Sequence, residues 1–531
     1  MAKESFLRGA IILAVASALS RIVGIVYMVV LPRIIYDDGM GLFQLVKPIH
    51  YFAAVLAISG IPTAVSKLVA EKAAKGWVEE VQRVFRIGLT MMVITGSLAA
   101  VTMIGGAPYF AETFAQDLGV KDVIAILGPA CFFLALSAAF RGYFQGLQYM
   151  IPTAVSQVTD QVVRVVTTII LSIMLMPYGV ERAVTGVAWG SLLGECSGWL
   201  VLIGFYVLQR KTLLQEIPHS NQAVSESYWL VFKRLAGLAL PVVVATVLWP
   251  IMQLADTLLI PSRMQAAGFS ADTIREGVGH LGMALTLSQF PNIVTVALAT
   301  SLVPAISEAW SLGSKGLVAR RSEEAVRIAL LFGIPSFVGL YVLAEPISQM
   351  LFGYPEAGVP LRILALGTVT LGVIQSTTGV LQGLGEMMLP VRNLVAGVIC
   401  KFIVNYVLTA NPHIGVCGAA WGTTIGWFII ALLNTIAVFR RVGVVIHFSN
   451  TVLKPCTAAL GLAVGLYYVH DTLLFFLSNT LSTLIAISGG MVFYFLLLML
   501  WGTILQRDMA LIPVVGSRLG RVLQEWGFLR K

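Results

Sequence analysis

Two segments of this chain, far apart in sequence, carry the same pattern around a basic residue within an apolar stretch. Arg164 follows Gln145 at the same spacing at which Lys401 follows Gln382. Each basic residue is followed by a similar motif: Gly186-Val187-Ala188-Trp189-Gly190 in the first segment and Gly418-Ala419-Ala420-Trp421-Gly422 in the second. A charge at mid-bilayer costs about 2.5 to 3.5 kcal/mol on insertion scales. We therefore expect both cations to have a function, and the function that suits them is binding an anion.

Arg21 and Lys47 are two further cations within apolar stretches. Several Arg and Lys side chains in a partly dehydrated site suit a diphosphate, which predicts substrate binding by Arg21, Lys47, Arg164 and Lys401. Two other readings stay open. Arg164 lies one helical turn after Asp160, which also fits a purely structural ion pair. Lys47, near the end of its stretch, could extend its ammonium group to the membrane interface.

Three acids lie within the apolar stretches as well. They are Asp160, Glu195 and Asp256. Ionisable residues inside membrane spans usually mark transport pathways and face protein or water. We therefore predict that these acids control gating or bind a coupling ion.

The composition identifies a membrane protein. The 531 residues are 58% hydrophobic and 11% charged, with a mean hydropathy of +0.88, whereas soluble domains carry about 25% charged residues. The net charge is +9. In a polytopic membrane protein the basic residues usually lie in cytoplasmic loops and face anionic lipids, so nucleic acid is not an expected partner. The five cysteines and six histidines show no metal-ligand spacing, and nucleotide-binding and hydrolase motifs are absent from the sequence. These features predict a transporter without a cofactor rather than an enzyme.

Apolar stretches long enough to cross about 30 Å of hydrocarbon recur along the whole chain. The fourteen predicted spans cover approximately 7–32, 43–67, 84–108, 122–141, 152–177, 184–208, 230–260, 279–304, 324–344, 360–382, 390–410, 416–439, 453–470 and 480–506. Basic residues concentrate in alternate connections, for example at Lys72 and Arg83, whereas Asp37 and Asp38 follow the first span. The positive-inside rule then places both termini in the cytoplasm.

The repeated segments predict how the spans are organised. They lie in spans 4 to 6 and 10 to 12, and an offset of six spans preserves helix orientation, so the two halves are parallel repeats. A weaker echo aligns Pro62 with Pro304, and Pro62 and Pro291 are expected to interrupt their spans. The fold class is therefore an all-α polytopic membrane protein with two six-helix repeats and two extra helices. The predicted domains are 1–220, 221–445, and 446–531 with a cytoplasmic tail.

Four segments resemble a known superfamily. They are Ser20-Arg21-Ile22-Val23-Gly24, the stretch from Phe43 to Pro48, the run from Gly60 to Glu71 and the run from Ser301 to Ala309. These segments resemble the polysaccharide-exporter branch of the multidrug/oligosaccharidyl-lipid/polysaccharide (MOP) flippase superfamily, in particular the group containing stage V sporulation protein B and the MurJ-type lipid II flippases. The resemblance covers almost the whole chain. Fourteen spans are typical of this group, whereas drug exporters of the superfamily usually have twelve.

The resemblance implies a mechanism and a substrate. It implies alternating access by a V-shaped pair of six-helix bundles in the bacterial plasma membrane. The implied substrate is an undecaprenyl-diphosphate-linked saccharide, lipid II for peptidoglycan or spore cortex. Spans 13 and 14 would form a groove for the lipid tail. By position, Arg21 matches the first-span arginine of such flippases, and Lys47 matches a basic residue before the proline of span 2.

The chain also departs from the pattern of this superfamily. Gram-negative members carry an arginine in span 8, where this chain has Gln289 and Asn292, so Arg164 and Lys401 are the expected substitutes. Alternative functions are export of another polyprenyl-linked precursor and cation-coupled multidrug export. A membrane glycan polymerase is disfavoured because the outer loops are short. Expected energy sources are the membrane potential, H+ or Na+, and expected partners are membrane lipids and cell-wall synthesis proteins.

Overall fold

The computed structural model of the chain describes residues 6–58, 60–215, 226–443 and 449–503. Within these ranges the secondary structure is helical, without a β-strand, because helices satisfy every backbone polar group internally in an apolar environment. The helices are α1 (Phe6–Ile58), α2 (Ile61–Ala74), α3 (Val78–Tyr109), α4 (Lys121–Gly146), α5 (Ile151–Leu175), α6 (Val180–Gln215), α7 (Tyr228–Ala266), α8 (Ala271–Gln289), α9 (Asn292–Ser311), α10 (Lys315–Val342), α11 (Ala344–Phe352), α12 (Gly358–Gly383), α13 (Met388–Leu408), α14 (Cys417–Val442), α15 (Lys454–Leu474) and α16 (Asn479–Leu500).

The prediction of a multi-pass membrane protein is confirmed. In the described residues, eleven helical stretches are long and apolar enough to cross a membrane. One of them, Ile11–Ala74, combines predicted spans 1 and 2, and predicted spans 7 and 8 are not among the eleven. The count of fourteen spans therefore stays a prediction. The predicted cytoplasmic tail falls almost entirely in 504–531, outside the described residues.

Two of the predicted spans are interrupted, as their prolines indicated. Span 2 divides between α1 and α2, where Gly60 has a φ of +74° and Pro62 stands in the first turn of α2. Span 8 divides between α8 and α9, with Pro291 at the N-cap of α9. Proline removes a backbone donor and its ring clashes with the preceding turn, so a new helix starts readily there.

The chain forms two compact units. The first comprises Met1–Gln265 with Ser270–Gly279, and the second comprises Ala266–Phe269 with His280–Lys531. Helix α7 thus belongs to the first unit, whereas the sequence placed it in the second domain; the domain boundaries at 220 and 445 stay predictions. An aromatic cluster lies in the core of the first unit, where the ring centroid of Phe85 is 5.2 Å from that of Phe140 and 4.5 Å from that of Tyr143.

Close helix contacts at glycines occur at corresponding sequence positions of the two units. A Cβ atom added to Gly142 of α4 would lie 2.6 Å from the carbonyl oxygen of Pro62, and one added to Gly379 of α12 would lie 3.0 Å from that of Ala299. Small residues allow such backbone approach in membrane helices. The contacts therefore align Pro62 with Ala299. The alignment of Pro62 with Pro304 was wrong because it matched prolines rather than packing positions.

Candidate functional site

A row of glycines brings α6 against α5 in the first unit. A Cβ atom at Gly190 would lie 2.8 Å from the backbone nitrogen of Thr168, and one at Gly194 would lie 2.8 Å from the Cβ of Arg164. The two helix backbones are therefore nearly in contact. This approach places Glu195, the residue after Gly194, next to the charged face of α5.

Arg164 lies between two acids at this contact. Its Nη2 atom donates to Oδ1 of Asp160 at 2.8 Å and to Oε1 of Glu195 at 2.6 Å. Asp160 and Glu195 are only 8% and 6% exposed. The ion pair expected from the one-turn spacing is present, and Glu195 extends it to a group of three. With both acids ionised the group carries one net negative charge, so Arg164 in this arrangement is already occupied by anions.

Two polar residues near this group were not among the sequence candidates. Nε of Arg141 donates to Oγ of Ser156 at 3.4 Å, and Arg141 also interacts electrostatically with Glu195. His50 interacts electrostatically with Arg164, and its Nδ1 atom lies 3.5 Å from Sγ of Cys131. The sequence placed Arg141 at the end of span 4, but α4 continues to Gly146. The pattern of polar residues within α4 offered no separate signal for it.

Arg21 and Lys47 differ from Arg164 because, in the described part of the chain, no acid forms an ion pair with either of them. Both lie in α1 of the first unit, which consists of two helical segments joined at a kink where Tyr36 has a φ of +61°: Arg21 is in the first segment and Lys47 in the second. Arg21 is exposed and Lys47 half-buried. Among the described residues, neither forms a hydrogen bond or an ion pair. A cation held without a counterion in an apolar helix is suited to an external anion.

The remaining two candidates lie on other helices. Asp256 is half-buried on α7 of the first unit. Lys401 lies on α13 in the second unit, where a Cβ atom added to Gly426 of α14 would be 2.9 Å from the Cβ of Lys401. The structure thus brings three of the seven candidates into direct contact, namely Asp160, Arg164 and Glu195.

A second charged group of the first unit lies outside the apolar stretches. Arg275, near the start of α8, donates from Nε to Oδ2 of Asp117 at 2.5 Å and from Nη2 to Oε1 of Glu181 at 3.2 Å. The hydrogen bonds to Asp117 raise the pKa of Arg275 above its usual value. A cavity of about 910 Å³ adjoins these residues and Glu112. The described residues contain no cluster of His, Cys, Asp and Glu able to hold a metal ion.

Comparison with known proteins identifies the family. A family model described as "Polysaccharide biosynthesis protein" matches residues 6–310. The chain belongs to this family. A second model, MatE, matches residues 241–407 of the same chain.

Named relatives of the chain support the membership. Stage V sporulation protein B of Bacillus subtilis is 28% identical over 98% of this chain and 100% of its own length. Lipid II flippase MurJ of the same organism is 28% identical over 90% of each chain. Both belong to the group that the sequence motifs resembled, and the predicted superfamily is confirmed.

Solved structures share the fold of this family member. Lipid II flippase MurJ in an inward closed conformation has a TM-score of 0.67 at 16% identity, covering 94% of this chain and 100% of its own. An inward-facing multidrug resistance MATE family transporter of the MOP superfamily has a TM-score of 0.66 at 16% identity, covering 80% of this chain and 94% of its own. These structures show that the fold is shared; the family model and the curated relatives identify this family member as a membrane transporter of the MOP superfamily.

Proposed function

We propose that this protein is an alternating-access flippase that moves an undecaprenyl-diphosphate-linked saccharide, lipid II, from the inner to the outer leaflet of the bacterial plasma membrane. The observation that carries the proposal is the pair of cations on α1, Arg21 and Lys47, which have no counterion among the described residues. A relative that is 28% identical over 90% of this chain is named a lipid II flippase, which supports the same substrate.

In this proposal the diphosphate binds first to Arg21 and Lys47. Both side chains can donate charge-assisted hydrogen bonds to phosphate oxygens, and each such bond is stronger than one between neutral groups. Arg164 joins the site once one of its acids, Asp160 or Glu195, takes up a proton or Na+, because a guanidinium nitrogen then becomes available. This exchange would link substrate binding to the coupling ion.

Lys401 and Asp256 have supporting roles. Lys401 assists from the second unit, and Asp256 contributes to gating on α7. Both termini lie in the cytoplasm according to the distribution of basic residues. Outward movement of a negatively charged headgroup across an inside-negative membrane gains about 2.3 kcal/mol per charge per 100 mV. The membrane potential thus favours the proposed direction of transport.

A reconstituted system tests the substrate. Proteoliposomes receive lipid II, a teichoic acid precursor or an exopolysaccharide precursor in turn, and the fraction of each lipid that reaches the opposite leaflet is measured. We expect lipid II to be moved at the highest rate. Movement of only one of the other precursors would replace lipid II as the substrate, and movement of none would refute the flippase proposal.

Variants of the α1 cations test the site. Because a hydrogen bond to a charged group contributes about 1.5–3 kcal/mol, Arg21→Ala and Lys47→Ala should lower flipping at limiting lipid about 10- to 100-fold. Their thermal unfolding should be unchanged, since neither residue has a bonded neighbour to lose. Lys121→Ala, at an exposed cation at the start of α4, is the matched control. Normal flipping by both α1 variants would refute their assignment.

A second candidate function is cation-coupled multidrug export. The MatE match to residues 241–407 favours it. In that case Glu195 and Asp256 would bind the coupling ion and an organic cation, and the α1 cations would be dispensable. Uptake of an organic cation such as ethidium into everted vesicles, without movement of lipid II, would decide for this function.

A further inference from the structure

One buried lysine lies far in sequence from the acid that neutralises it. Lys72, near the end of α2, is 1% exposed, and its Nζ atom donates to Oε1 of Glu226 at 2.5 Å. Glu226 precedes α7, and Nη1 of Arg234 donates to the same carboxylate at 3.0 and 3.3 Å. An ammonium group buried this deeply requires an anion beside it. The position is therefore built to hold an anion.

The backbone of Glu226 is held separately from its carboxylate. Nη1 of Arg83 donates to the carbonyl oxygen of Glu226 at 2.5 Å, and the amide nitrogen of Glu226 donates to Oε1 of Glu80 at 3.3 Å. These two bonds do not involve the carboxylate. The side chain of Glu226 can therefore rotate away from Lys72 while the chain stays anchored in place.

Aromatic residues place this site at the level of the lipid headgroups. The ring of Trp77 lies 4.8 Å from Nζ of Lys72, and the ring of Tyr228 lies 5.0 Å from Cζ of Arg83. Trp229 is 62% exposed and Tyr228 57% exposed. Exposed Trp and Tyr side chains with Lys or Arg beside them are typical of the membrane interface, where lipid phosphates lie.

We propose that Lys72 and Arg234 form a binding site for the phosphate of an anionic lipid headgroup, and that the carboxylate of Glu226 occupies this site until a lipid displaces it. Before this displacement, the carboxylate oxygens of Glu226 occupy the positions that phosphate oxygens take in the lipid-bound state. Arg234 is 46% exposed and the side chain of Glu226 is 13% exposed, so the lipid approaches from the Arg234 side. Displacement frees the acid at the start of α7, which makes α7 responsive to the lipid composition of one leaflet.

The location of this site in the inner leaflet rests on the proposed function, which assigns these helix ends to the cytoplasm. The phosphate could belong to a bulk phospholipid or to the diphosphate of the transported lipid. The same chemistry recognises both. Separate vesicles containing phosphatidylcholine alone, phosphatidylcholine with phosphatidylglycerol, or phosphatidylcholine with undecaprenyl diphosphate distinguish these sources, and inorganic pyrophosphate tests whether a lipid tail is needed.

The experiment removes the competing acid. The full-length chain and its Glu226→Gln variant are placed in these vesicles, and lipid binding and thermal unfolding are measured. If Glu226 leaves the site free about a tenth of the time, its removal should raise the apparent affinity for the anionic lipid about tenfold. The variant should also have a lowered Tm in phosphatidylcholine alone that the anionic lipid restores, because a ligand that binds only the folded state stabilises it.

Two further variants complete the test. The double variant Lys72→Met with Glu226→Gln removes both charges and should fold but lose the gain in lipid binding. Lys75→Gln is the matched control, because Lys75 contacts the same Trp77 ring at 5.0 Å but pairs with Glu71 instead of Glu226. An affinity unchanged in Glu226→Gln, or a gain kept in the double variant, would overturn the proposal. Lipid binding is read without transport, so these outcomes are independent of whether lipid II is flipped.

Discussion

The helix pair α5–α6 and the pair α13–α14 pack in the same way, but the residues around their central cations, Arg164 and Lys401, differ. On α6, Gly186 and Gly190 contact Ser172 and Thr168 of α5. On α14 the corresponding contacts are made by Gly418 with Thr409 and by Gly422 with Asn405 of α13. The same glycine spacing therefore holds both pairs together.

The difference lies in the residues beside the cation. In the first pair Glu195 follows Gly194 and binds Arg164; in the second pair Trp427 follows the corresponding Gly426. The Trp427 ring packs against Gly367 of α12 instead of binding a charge. The two helix pairs thus share their backbone packing but differ in the charged groups beside the cation.

The largest expected effect comes from removing the central cations. Arg164→Ala leaves Asp160 and Glu195 buried and uncompensated, and breaking a buried ion pair in this way costs about 3–5 kcal/mol. Lys401→Ala should cost less than about 1.5 kcal/mol, the scale of one ordinary hydrogen bond, because no acid occupies the corresponding positions of its helix pair. Thermal unfolding of both variants in detergent measures the difference. Equal losses would show that the two environments are electrostatically alike.

A neutral replacement of the whole group separates charge from packing. The triple variant Arg164→Met, Asp160→Asn, Glu195→Gln removes all three charges of this group and leaves no unpaired acid, so it should be more stable than Arg164→Ala alone. If the triple variant unfolds at a lower temperature than the single variant, the loss in Arg164→Ala comes from packing rather than from the unpaired acids.

An intermediate and equal effect is expected at the glycine contacts. Gly190→Val and Gly422→Val each insert side-chain atoms where an added Cβ would already lie 2.8 to 3.2 Å from backbone of the neighbouring helix, and overpacking typically costs about 1–3 kcal/mol. Gly204→Val on α6 is the control, because a Cβ there meets nothing within 4 Å. If only one of the variants Gly190→Val and Gly422→Val had a lowered unfolding temperature, the result would contradict the structural equivalence of the two helix pairs.

The smallest expected effect concerns buried hydroxyl groups at matching positions. Oγ of Ser172 donates to the carbonyl oxygen of Ala183 at 3.0 Å, and Oγ1 of Thr409 donates to Oδ1 of Asn405 at 2.6 Å. Side-chain hydrogen bonds in membrane proteins contribute about 0.6 kcal/mol on average. Ser172→Ala and Thr409→Val should each lower stability by about this amount in equilibrium unfolding. A loss above about 2 kcal/mol, beyond the largest values measured for such bonds, would indicate an additional role.

Much of the fold was predictable because hydrophobic length and glycine spacing are local properties of the sequence. The helix interruptions at Pro62 and Pro291 followed from the chemistry of proline. The ion pair between Asp160 and Arg164 followed from their one-turn spacing. The resemblance of four short segments also led to the correct superfamily.

Long-range contacts could not be predicted from the sequence. The bond from Arg164 to Glu195 joins two helices, and its existence depends on how closely Gly194 lets them approach. The contact between Lys72 and Glu226 links residues far apart in the chain, and both residues look like ordinary loop charges in the sequence. Periodicity reports which face of a helix is polar but not which other helix that face meets.

The arrangement of charges on α5 and α6 has a consequence for biosynthesis. The two helices are joined only by the short turn Met176–Tyr178 and Gly179, so Arg164 and both of its acids belong to one helical hairpin. This hairpin can enter the bilayer with its cation already neutralised, before the rest of the chain has been synthesised. The hairpin of α13 and α14 contains no Asp or Glu. Its insertion must instead rely on helices or headgroups outside the hairpin, which makes the second half the more demanding one for the insertion machinery.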